Sequence, residues 1–208
     1  MNIVEGIDDA AGEKQLKDQK VLHAMRWSFL RRQPAILDLI RPLFEPPQRL
    51  IQPYVKKGQV VADLACAWGY YTFPLADLVG PEGKVYAVDL SKKCIRAIQK
   101  KADKGGYHNI EAHASSASDV SFIKDGSVDF VLAYGLLCSM ENDRQLAVNE
   151  IKRILKSSGQ AYISLGFPPP LGLVDQEEWE NILEGFKVES GGSFKKLWAV
   201  VTVKQGAV

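Results

Sequence analysis

The chain has 208 residues, 46% of them hydrophobic and 25% charged, enough for one globular domain with a full core. Its formal net charge of +1 gives no overall electrostatic signature of a nucleic-acid binder. The three cysteines, Cys66, Cys94 and Cys138, are far apart and form no paired ligand pattern, so neither a disulfide framework nor a metal site is indicated and a reducing cytoplasm is expected.

The first stretch, MNIVEGIDDAAGEKQLKDQK, is polar and acidic where a secretory leader needs a basic start and an apolar run. No apolar stretch approaches membrane-spanning length, so no membrane insertion is expected. Residues 1 to about 20 read as frayed and about 20 to 57 as helical. Leu37, Leu39, Ile40, Leu43 and Phe44 give partial helical spacing, interrupted by Pro34, Pro42 and the pair Pro46-Pro47. Residues 1–57 are thus an N-terminal helical appendage or lid on a domain of residues 58–208. This appendage is locally basic: Lys20, Arg26, Arg31, Arg32, Arg41, Arg49, Lys56 and Lys57 stand against Asp38 and Glu45. A solvated helical surface explains such a run, and so does an anionic small-molecule substrate.

From Gln59 the pattern alternates. Apolar runs at Val60-Ala65, Val85-Leu90, Ile110-Ala114, Val128-Tyr134 and Ala161-Leu165 are separated by helical candidates at Tyr70-Val79, Ser91-Lys104 and Glu141-Lys156. This is an α/β arrangement, Rossmann-like, with a mainly parallel sheet covered by helices on both faces. After a last helix near Gln176-Glu184, Phe186-Val188 and Leu197-Lys204 are joined through Gly191-Gly192 and read as a hairpin that adds an antiparallel strand.

Ligands of such sheets sit beyond the carboxyl ends of the strands, where the strand order reverses. The first strand ends at Asp63-Leu64-Ala65, and the next helix points its amide-rich N-terminus into the same crevice. Twenty-six residues after Asp63, the second strand ends at Val88-Asp89-Leu90, where an acid can accept two hydrogen bonds from a ribose diol. Asp89 can equally cap the following helix, although Ser91 is available for that.

At these residues the chain resembles the class I S-adenosylmethionine-dependent methyltransferases, in particular the small-molecule branch typified by ubiquinone/menaquinone methyltransferases. Val61-Ala62-Asp63-Leu64-Ala65-Cys66-Ala67-Trp68-Gly69-Tyr70-Tyr71-Thr72 is similar to the family's first motif, and Val79 to Asp89 to its approach to the second. Lys124 to Leu132 resembles its fourth strand, and Glu150 to Gly159 its helix and turn before the fifth. The resemblance implies a seven-stranded sheet of order 3-2-1-4-5-7-6 with strand seven antiparallel. It implies S-adenosylmethionine as cofactor, with Asp63 orienting its amino group and the backbone of Ala65, Cys66, Ala67 and Gly69, beside Tyr70, lining methionine and ribose. Asp89 would hold the ribose hydroxyls, Leu90 would lie against the adenine, and Ser115 or Ser116 would stand where the family has an adenine-reading acid. Tyr134 would face the methyl group and the acceptor. His23 and Arg26 are further candidate substrate contacts, a lone histidine being equally at home on a surface or in a core.

Two positions where glycine is expected, Ala65 and Ala67, carry a methyl group. At negative φ, Ala65 ends the strand at little cost and Ala67 merely narrows the groove; at positive φ alanine costs roughly 1 kcal/mol or more. Removing Asp89 should weaken cofactor binding and leave the fold intact. Two other readings compete with a methyltransferase: a non-catalytic module that keeps the fold, and an NAD(P)-dependent oxidoreductase, which would need the absent G-x-G-x-x-G.

Overall fold

The computed structural model describes residues 46–140, 143–165, 174, 176–192 and 198–204. Its elements in chain order are α1 (Pro47–Ile51), β1 (Val60–Leu64), α2 (Thr72–Val79), β2 (Lys84–Val88), α3 (Lys92–Gly105) and β3 (Ile110–His113). They continue with β4 (Val128–Tyr134), a 3-10 turn at Leu137–Ser139, α4 (Arg144–Ile154), β5 (Leu155–Ser164), α5 (Gln176–Leu183), β6 (Phe186–Gly191) and β7 (Trp198–Val203). The seven strands form one sheet of order β3-β2-β1-β4-β5-β7-β6. The first five pair in parallel, and β7 runs antiparallel to both β5 and β6.

Side-chain alternation along the central strands divides the core. On β4, Val131 and Ala133 join a cluster with Ala147, Val148, Ile151 and Ile154 of α4 and Trp179 and Ile182 of α5. Phe130 and Leu132, on the opposite face, pack with Leu75, Ala76 and Val79 of α2 and Ile51 of α1. A strand covered on both sides is apolar where it is buried, which is why Phe130 to Ala133 has no polar alternation, while Asp129 near the strand's start is paired with Lys156. The third cluster joins Ala87 of β2 to Ile95, Ile98 and Ala102 of α3, residues spaced at one face of a helix. Ser91 starts that helix by accepting the Cys94 N–H at 3.3 Å, and Gly106 ends it with φ 71°.

The structure departs from the sequence expectation at several boundaries. Pro47 opens a helix where an interruption is expected, because a proline at the first helical position lacks only an N–H that would be unpaired there anyway. Strand β5 begins six residues early, directly after α4, and β6 runs on through Gly191, three residues beyond the expected end at Val188. The rest of that connection and residues 1–45 lie outside the described residues.

Candidate functional site

The order reverses at β1, which has β2 on one side and β4 on the other, so the crevice opens above the carboxyl ends of these strands. Asp63 of β1 points into the protein and is only 2% exposed. Thr72, the first residue of α2 and fully buried, donates its hydroxyl to Asp63 Oδ2 at 2.6 Å. The carboxylate is thereby anchored at the N-terminal end of α2, where a negative charge is favoured.

The turn after β1 is fastened to β2. Ala65 N–H and Cys66 N–H both donate to the Val88 carbonyl, at 2.8 and 3.0 Å, and Ala67 N–H donates to Asp89 Oδ2 at 2.9 Å. To make these bonds the chain turns left-handed twice: Ala65 has φ 68° and Ala67 φ 47°, the two non-glycine residues with positive φ among those described. The low-cost geometry at negative φ is therefore not adopted. The turn keeps the backbone path that glycine normally supplies and holds alanines in it, at a cost of about 1 to 2 kcal/mol for each such residue. Gly69 is constrained differently. Its φ is 86°, and a Cβ there would meet the Phe73 ring at 2.8 Å and Ile98 at 3.3 Å, so close packing of α2 on α3 requires a glycine.

Asp89, 6% exposed, is the knot of the site. Besides the Ala67 bond, its Oδ1 accepts the Ser91 N–H at 2.8 Å, while the Ser91 hydroxyl caps α3 on its own account. These two backbone bonds fix the carboxylate at the carboxyl end of β2, beside the turn after β1. Removing Asp89 would release both backbone groups, so its loss is expected to cost stability as well as cofactor affinity. Next to it Leu90 is 74% exposed, an apolar side chain held out of the core at the rim of the crevice.

Tyr70 meets Tyr71 edge-on at 5.0 Å between ring centres, and Tyr71 lies 5.1 Å from Tyr134 at the end of β4. The structure thus brings Tyr70 and Tyr134 to one place through Tyr71, which sequence reasoning passed over; the paired tyrosines in the first motif were the signal. Cys66 is buried, and burial, followed by the carboxylates of Asp63 and Asp89, pushes its thiol well above its usual pKa. Trp68 turns toward α3, with the Lys93 ammonium 5.5 Å from its ring centre. With Tyr70, Phe73, Pro74, Asp77 and Lys101 it lines a shallow cleft of about 330 Å³.

The Asp89 N–H donates to the His113 carbonyl at 3.2 Å, which sets the loop after β3 beside the crevice. Within it the Ser115 hydroxyl donates to the Asp119 carbonyl at 2.8 Å, and Ser116 Oγ lies 2.6 Å from Ser118 Oγ. These serines stitch the turn together and retain oxygen lone pairs. His23, Arg26 and most of the basic segment lie outside the described residues; Lys56 and Lys57 precede β1, at the end of the sheet away from the crevice. Among the described residues no group of three His, Cys, Asp or Glu could hold a metal, and no helix is long and apolar enough to cross a membrane.

Comparison with known proteins agrees with this geometry. A family profile described as a methyltransferase domain matches residues 61–159. The demethylmenaquinone methyltransferase of Geobacillus stearothermophilus is 33% identical over 106 residues, 50% of this chain and 44% of that protein. The same enzyme from Bacillus pumilus is 32% identical over 106 residues. The chain thus covers less than half the length of these curated relatives. Among solved structures, a SAM-dependent methyltransferase from Aquifex aeolicus superposes with a TM-score of 0.64 at 25% identity, covering 76% of this chain and 89% of that one. A TehB-like SAM-dependent methyltransferase from Corynebacterium glutamicum shares the fold, with a TM-score of 0.64 at 19% identity over 88% of this chain and 99% of that one. Strand order, the position of the crevice and the profile match agree: the chain has the class I methyltransferase fold, and its residues 61–159 match a methyltransferase domain.

Proposed function

We propose that this protein transfers the methyl group of S-adenosylmethionine to a small-molecule acceptor, a planar aromatic one. The observation that carries the reading is the use of the turn after β1. A dinucleotide cofactor needs the amides of that turn for its pyrophosphate. Here Ala65, Cys66 and Ala67 have their N–H groups bound to Val88 and Asp89, so the turn offers little to a phosphate. Flanking it are two buried carboxylates, which suit a cofactor whose sulfonium and ammonium are cationic and whose ribose presents a diol. The residues present therefore fit S-adenosylmethionine.

That cofactor, when bound, supplies a methyl group already activated by positive sulfur, so the protein's part is positioning and exclusion of water. Asp63 would hold the ammonium, Asp89 the ribose hydroxyls, and Leu90 would lie against the adenine. Tyr70 and Tyr134, partly exposed and braced by the buried ring of Tyr71, offer ring faces and edges to a flat acceptor, and offset or edge-to-face contacts fix its plane. The curated relatives named for demethylmenaquinone, a quinone-type acceptor, support this class. Cys66, held as the neutral thiol by burial and its two acidic neighbours, packs in the cluster with Phe73, Ile95 and Ile98 and offers the crevice no nucleophile.

Calorimetric titration with S-adenosylmethionine, S-adenosylhomocysteine and NADH tests the reading, followed by an assay for S-adenosylhomocysteine release with a reduced naphthoquinone as acceptor. Binding of the first two and not of NADH is expected. Binding without turnover on any aromatic acceptor would favour a non-catalytic module, and NADH binding alone would overturn the proposal.

A further inference from the structure

The connection from β3 to β4, residues 114–127, contains no helix of its own. It nevertheless carries Ser115 and Ser116, one of which the family resemblance would set at the adenine end of the crevice. A loop without regular structure holds its acceptors in place only if something anchors it, and most of that anchor is one side chain.

Arg153, in the last turn of α4, spends all five of its N–H donors here. Nη1 donates to the Ile123 carbonyl at 2.8 Å and to the Asp125 carboxylate, and Nη2 to the Val120 carbonyl at 3.0 Å. The remaining two, from Nε and Nη2, go to Glu150 Oε1 and Oε2 at 2.7 and 2.9 Å. Glu150 completes the circuit by accepting the Val120 N–H at 2.8 Å. Upstream, the 115–119 turn is bonded to itself: Ser115 Oγ to the Asp119 carbonyl, Asp119 N–H to the Ser116 carbonyl, and Ser118 N–H to Ser116 Oγ. It therefore moves as one piece, tethered in front at His113 and behind at Val120.

We propose that Arg153 and Glu150 form a positioning pair that sets adenine selectivity from a distance, by fixing Val120 to Asp125 and through them the 115–119 turn. The proposal rests on the crevice holding S-adenosylmethionine. Only a planar fork spans three loop groups and a carboxylate at once; a lysine ammonium, with three donors at one point, does not.

The test compares binding of S-adenosylhomocysteine with that of S-inosylhomocysteine, which carries an oxygen in place of the adenine amino group. The wild-type protein, Arg153→Lys and Glu150→Gln are each titrated with both, and thermal unfolding is recorded alongside. In the two variants the adenine ligand should lose about five- to tenfold in affinity, the worth of a displaced hydrogen bond, while the inosine ligand changes less than about twofold. Asp125→Ala, at the exposed rim of the network, should fold in any event and show a smaller shift in the same direction. Equal losses for both ligands, or an unchanged preference, would reduce the pair to a purely structural role and overturn the proposal. A wild-type protein that binds both ligands equally also overturns it alone, whereas one that binds neither overturns the cofactor reading with it.

Discussion

Replacing Ala67 by glycine should make this protein more stable, against the usual direction of an alanine-to-glycine change. Ala67 sits at φ 47°, where the β-carbon crowds the backbone at a cost of about 1 to 2 kcal/mol that glycine does not incur. Against this, glycine gains unfolded-state entropy worth about 0.4 to 1 kcal/mol. The net expectation is a gain of roughly 0.5 to 1 kcal/mol, or a rise in Tm of about 1 to 4 °C for a chain of this size. Ala65→Gly, from φ 68°, should gain less, because the Ala65 methyl packs against the main core cluster and part of about 0.8 kcal/mol of burial is lost with it. Gly69→Ala is the control: it too changes a positive-φ position, yet it should destabilise, since the new Cβ would stand 2.8 Å from the Phe73 ring. Differential scanning calorimetry of the three variants without ligand gives the measurement. A lower Tm for Ala67→Gly would refute the account of strain in the turn. With S-adenosylhomocysteine present, the same variant should bind at least as tightly as wild type.

Asp89→Ala should cost about 1 to 3 kcal/mol of stability in the unligated protein, because the amides of Ala67 and Ser91 lose their acceptor, as well as weakening cofactor binding; paired denaturation and calorimetry would reveal both effects. Thr72→Val, similar in shape and without the hydroxyl, should destabilise by about 1 to 3 kcal/mol by removing a donor to the buried Asp63 carboxylate, and no loss in urea denaturation would contradict that bond. Hydrogen bonding from Arg153, followed by the Val120 amide, holds the Glu150 carboxyl below its usual value of 4.5. The stability it contributes is therefore fully present above that pH and lost as pH falls through the lowered value, so Glu150→Gln should flatten the decline of the urea midpoint on the acid side of 4.5.

Much of this protein was legible in one dimension. Apolar runs of five to seven residues between helical intervals imply a doubly covered parallel sheet, because a strand buried on both faces has no polar alternation to display. The positions of Asp63 and Asp89 at two strand ends follow from those runs, since the ends of parallel strands meet at one edge. The reversal of β7 was readable from the glycine pair ahead of it. What the sequence could not show were properties that depend on neighbours far along the chain. The sign of φ at Ala65 and Ala67 is imposed by Val88 and Asp89, at least 22 residues from the groups they bind, whose hydrogen bonds outweigh the alanine preference. Tyr71 braces Tyr134 only because β4 brings the two rings together, and Arg153 becomes an anchor only when α4 lies across the β3–β4 connection. Local pattern determined which elements form and where the crevice lies; the contacts that strain, anchor and furnish that crevice were decided by tertiary structure, because each needs a partner that sequence spacing does not place.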